Sequence, residues 1–187
     1  MIAWTLLIVG IAVGLAAGYI AARRRRQGPR SARPTATHQI LLPFTGTTVS
    51  RRALEAALRL ARVEGATLMP AFLATVPRTL SLESALPRQA AVGMPLMEVL
   101  EQRAVAAGVA VDSRVERGRT YRHALTRLLE TEQFDRVIVS ATNDPRVGLS
   151  GDDILWVLRN APAEVLILRP APEDTRTVSA TKIEGHF

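Results

Sequence analysis

Residues 39–68 read QILLPFTGTTVSRRALEAALRLARVEGATL, and the order of signals in this stretch decides the fold. Residues 39–44 are a short apolar run of the length of a buried strand. Thr45 and Gly46 break it with a turn. Residues 50–63 then follow the helical period: Leu54, Leu58 and Ala61 share one face, with arginines opposite. Gly65 stands where helices commonly end in a left-handed residue. Residues 66–75 are apolar again and read as a second strand. A strand, a helix and a strand in this order form a crossover unit, which makes the two strands parallel.

The pattern continues to residue 169. Residues 76–88 read as a proline-containing loop and residues 94–107 as a second helix, with Pro95 in its first turn and Gly108 as its stop. Val109, Val111, Ser113 and Val115 alternate as a third, less buried strand, and Gly118 turns the chain. A third helix spans residues 121–132, with Ala124, Leu125, Leu128 and Leu129 inward. Residues 137–140 form a fourth strand, residues 152–160 a fourth helix stopped by Pro162, and residues 164–169 a fifth strand. The expected fold is α/β: a three-layer, doubly wound, five-stranded parallel sheet. Pro70 conflicts with it locally, because it falls inside the second strand and cannot donate to a ladder.

Charge and hydropathy divide the remainder. The chain has 187 residues and a net charge of +7, which suggests nucleic acid at first sight. Six of the 24 basic residues, Arg23, Arg24, Arg25, Arg26, Arg30 and Arg33, lie within residues 1–37, where there is no acid. The other 18 face 17 acidic residues, so the domain is near neutral and no basic recognition helix is present: nucleic acid is not an expected partner. There is no cysteine, which excludes disulfide and thiolate chemistry.

Residues 2–22 are uncharged and long enough to cross a hydrocarbon core of about 30 Å, with the arginines following them. A cleaved signal peptide has the opposite charge order. The expectation is a transmembrane anchor over residues 1–22, a basic linker over 23–37, an α/β domain over 38–170 and a disordered tail over 171–187. The arginines place the N-terminus outside and the domain in the cytoplasm. Gly10, Gly14 and Gly18 form a stripe that suits packing against another membrane helix; glycine is also simply common in such helices.

Three stretches together resemble the universal stress protein family. ILLPFTGTTVSRRALEAALRLA is similar to its first strand, Asp-Gly-Ser-type turn and first helix; GATL follows as its second strand opens; VLRNAPAEVLILRP is similar to its closing helix, Ala-Pro turn and last strand. The resemblance covers residues 38–170 and implies strand order 3-2-1-4-5, with dimers through the last strand, here Val165, Leu166, Ile167 and Leu168. Family members that bind ATP carry an aspartate in the first turn and a Gly-x2-Gly-x9-Gly-(Ser/Thr) loop after strand four. Here Thr45, before Gly46, stands for the aspartate, and Ser140 and Asn143 stand for the first two glycines. Gly151 keeps the third, Asp152 replaces the hydroxyl, and the loop is two residues short. Asp152 reads as a helix cap whose charge would repel phosphate.

No catalytic or metal constellation stands out. His38, His123 and His186 lack ligand spacing, and Asp152–Asp153 read as capping residues. The expected function is a membrane-tethered, non-enzymatic regulatory or accessory domain without ATP or another cofactor, self-associating or bound to a membrane-protein partner. The alternative is a nucleotide-responsive regulator, holding ATP, AMP or a cyclic nucleotide through the N–H groups of Gly148, Ser150 and Gly151.

Overall fold

Side chains 40 to 44 of the first strand are all buried, which only a sheet covered on both faces allows. The computed structural model describes residues 38–141, 149–169 and 177–180. In chain order these form β1 (Gln39–Phe44), β2 (Thr48–Ser50), α1 (Arg51–Glu64), β3 (Thr67–Thr75), α2 (Pro87–Ala106) and β4 (Arg114–Gly118). They continue with α3 (Tyr121–Thr131), β5 (Arg136–Ser140), α4 (Gly151–Asn160), β6 (Glu164–Leu168) and β7 (Thr177–Ser179).

The five-stranded sheet has the order β4-β3-β1-β5-β6, and every pairing within it is parallel. The expected order 3-2-1-4-5 differs in its labels, because the short β2 pairs outside this sheet and takes a number of its own. Ile40, Leu42 and Phe44 pack with α1 and α2 on one face, whereas Leu41 packs with α3 and α4 on the other. That division follows from right-handed crossovers that run first from β1 outward to β3 and β4, then from β4 back past β1 to β5 and outward to β6.

Several boundaries move. The second helix begins at Pro87 rather than residue 94, so Pro95 lies inside it and not in its first turn. Its start was hidden because PRQAAVG carries no helical period. Gly93 has a packing reason to be glycine, since a Cβ there would come within 2.5 Å of the Phe72 ring. The third strand is Arg114–Gly118, not residues 109–115; Val111 contributes only an isolated bridge to Leu68. Gly118 ends that strand, where an added Cβ would meet the Ala124 nitrogen at 2.3 Å.

Pro70 is accommodated by a gap. Leu68 N–H donates to Ala110 O at 2.8 Å, so by alternation the Pro70 nitrogen faces the same neighbour. The β3–β4 pairing starts only at Ala71↔Arg114, beyond the missing donor.

The expected disordered tail needs a correction too. Thr177–Ser179 form β7, antiparallel to β2, and Val178 is buried in the same cluster as Phe44, Val49 and Leu96. One apolar side chain and two β-branched residues suffice once β2 offers an open edge. Residues 1–37, including the expected anchor and Gly10, Gly14 and Gly18, lie outside the described residues. Among the described residues no helix is long and apolar enough to cross a membrane.

Candidate functional site at the carboxyl edge of the sheet

β1 leads away to β3 on one side and lies beside β5 on the other, so the chain reverses direction between β1 and β5. Ligands of open α/β sheets bind beyond the carboxyl ends of the strands at such a point. The β1–β5 register runs from Ile40↔Arg136 to Leu41↔Val137 and no further. Beyond it, Thr45 and Gly46 follow the end of β1, half-buried, and Ser140 ends β5. The Ser140 side chain is only 7% exposed, and its hydroxyl has no partner among the described residues.

The far wall is the N-terminus of α4. Ser150 is the cap: its hydroxyl accepts the Asp153 N–H at 3.2 Å. This corrects the assignment of Asp152, which sits inside the first turn because the helix starts one residue earlier, at Gly151. The Asp153 carboxylate accepts from the Ser150 hydroxyl at 2.5 Å and from Arg122 Nε on α3 at 2.7 Å. Burial opposes ionisation of Asp153, but the Ser150 hydroxyl and the Arg122 guanidinium outweigh it and hold the carboxyl below the usual range. Gly151 is exposed, and a Cβ there would touch nothing within 4 Å, so no close approach requires glycine. Gly148 lies outside the described residues.

The structure therefore brings Thr45, Gly46 and Ser140 to one edge of the sheet and sets Ser150 and Gly151 at the mouth of α4. Arg122 is the member that sequence reasoning missed. It stands on α3, remote in sequence from the loop, and nothing local marks it. Among the described residues no group of His, Asp or Glu could hold a metal ion.

The comparisons agree with this architecture. The family model described as "Universal stress protein family" matches residues 36–169. The chain belongs to the universal stress protein family. No curated protein sequence matches it. A family protein from Burkholderia pseudomallei superposes with a TM-score of 0.53 at 22% identity, covering 74% of this chain and all of that one. A universal stress protein in complex with cAMP gives 0.54 at 21% identity, over 73% of this chain and 100% of its own. An Arabidopsis thaliana family protein with AMP bound gives 0.51 at 14% identity, over 73% and 95% respectively. At such identities the likeness is one of fold.

Proposed function

We propose that this universal stress protein domain is a non-enzymatic regulatory module, held at a membrane through residues 1–37, that works by docking and not by turning over ATP. The carrying observation is the Asp153 carboxylate. It occupies the Ser150 hydroxyl and Arg122 at the one helix end of this site where a ligand phosphate would gather the same donors. A phosphate arriving there has to take both donors from Asp153, and leaving that carboxylate without them costs free energy that is set against the binding.

The docking element is β6, paired on one side only among the described residues, where Ile167 is exposed and Val165, Leu166 and Leu168 are partly buried. Its occupant is a second copy or a membrane-protein partner. The uncharged run 2–22, followed at once by four arginines, supports the tether.

Isothermal calorimetry of the full chain in mild detergent tests the reading. Millimolar ATP should give no binding heat, and micromolar affinity would overturn it. A second reading is favoured by the orphaned Ser140 hydroxyl, which a nucleotide lying across the β1–β5 divide would satisfy. The bound AMP and cAMP of two similar folds make adenosine monophosphates the first ligands to titrate. Recovery of such a nucleotide from the purified chain would decide for that reading.

A further inference from the structure

The two most exposed large hydrophobic side chains of the described domain are Val63, 81% exposed, and Val105, 69% exposed. They belong to different helices but occupy the same place, the last turn of α1 and of α2. Both helices run antiparallel to the strands they connect, so both tips lie at the amino edge of the sheet, opposite the candidate site. α1 and α2 also cover the same face, which sets the tips side by side in one layer. Each tip has an arginine in the same turn, Arg62 and Arg103. Leu158 and Arg159 repeat the pattern at the end of α4, on the other face.

The chain enters the domain at this same edge. His38 precedes β1, and its carbonyl accepts the Thr67 N–H at 2.8 Å, just beyond the end of α1. Acids are numerous here, but most are engaged. Glu64 and Glu164 hold Arg136, Asp135 holds His38, and Glu132 and Asp112 hold Arg114. Arg62 and Arg103 have no ion pair among the described residues. Glu130 in the last turn of α3 and Glu101, one turn before Val105 on α2, are the opposing charges without an ion pair among the described residues. An arginine in the last turn of a helix also suits the helix dipole, but that does not account for the bare valines beside it.

We infer that the amino edge of the sheet, with Val63 and Val105 as apolar tips and Arg62 and Arg103 as charge contacts, is a docking surface for an anionic lipid bilayer. Apolar tips flanked by arginines fit the headgroup boundary, where the side chain enters and the guanidinium stays with phosphate. The inference rests on the proposed tether. Residues 23–37 separate the uncharged run from His38 and span at most about 50 Å, so a weak surface contact gains from a high local lipid concentration. It adds an orientation: the amino edge faces the bilayer and the carboxyl edge, with the candidate site, faces away.

The test uses the full chain in vesicles of phosphatidylcholine, with or without phosphatidylglycerol. Because the chain has no cysteine, Val63→Cys, Val105→Cys and Met94→Cys each provide a single point for a fluorophore. Met94 is a sound reference, since it is 50% exposed and lies on the same helix as Val105, toward its other end. A headgroup-attached quencher should quench positions 63 and 105 at least about twofold more than 94 in anionic vesicles, as penetration of roughly 5–10 Å requires. The preference should shrink in pure phosphatidylcholine and in the chain carrying Arg62→Gln and Arg103→Gln. Equal quenching at all three positions overturns the docking surface. Flotation with the vesicles at high salt reports the tether separately. A chain that floats without the quenching preference refutes the docking alone, and one that does not float refutes both.

Discussion

Helices α1 and α4 begin alike and then diverge. Each starts after a serine whose hydroxyl accepts an N–H three residues on: Ser50 from Ala53 at 3.5 Å, Ser150 from Asp153 at 3.2 Å. Behind Ser50 come Arg51 and Arg52; behind Gly151 come Asp152 and Asp153. Arginines in a first turn oppose the helix dipole and aspartates complement it. The fold treats the two ends accordingly. Arg51 is drawn off by Glu55 at 2.7 Å, and Ser50, only 2% exposed, lies on the β2 strand that β7 pairs with. The α4 end stays open and is neutralised by its own carboxylates. A helix N-terminus can thus be withdrawn from ligands in two ways, by covering it or by supplying an internal anion.

The comparison is broken most directly at the covered end. Val178→Asp puts a charge where the side chain is 6% exposed among apolar neighbours. It should cost about 3 kcal/mol in a denaturant titration and detach β7. A loss within experimental error would show that β7 does not seal α1. Next come the caps. Ser50→Ala and Ser150→Ala should each cost about 1 kcal/mol, the usual worth of an N-cap. Equal pH dependence in the two variants would contradict the contrast, because only Ser150 is bonded to a carboxylate.

The open end responds to acid. Asp153 titrates below its ordinary value of 3.8, so its folded pKa is lower than its unfolded one. Its contribution to stability is therefore complete above the unfolded value and is lost as pH falls through the folded value. Asp153→Asn should be less stable than the parent chain at neutral pH and level with it in strong acid. A constant difference across that range would remove the ionic account. The smallest effect is expected from Arg122→Ala, below about 1 kcal/mol in a thermal melt, because its pair with Asp153 is partly open to solvent.

What the sequence made legible follows from signal length. β1, α1 and β3 carry continuous apolar runs or a clear helical period, and they stand where residues 39–75 indicated. β4 did not, because RVERG is an edge strand with one apolar side chain that is itself exposed. The valines before it offered a false alternation. β2 and β7 are three residues each and pair with one another, a pairing between the two ends of the domain that no local window contains. At the site, Ser140, Ser150 and Gly151 were found by counting along the chain. The cap assignment slipped because Ser150 and Asp152 are both good caps and only backbone geometry chooses between them. Arg122 needed the α3–α4 packing to be known.

The gap at Pro70 has a consequence for how the domain comes apart. It divides the bonding between β3 and β4 into two zippers, one at Leu68 with Ala110 and Asp112, the other from Ala71 to Thr75. Fraying that starts in residues 109–113 meets a missing tooth before it reaches the longer zipper. Proline thereby acts as a firebreak: the outer margin of the sheet can breathe at its amino end while the seam beside Gly118 stays shut.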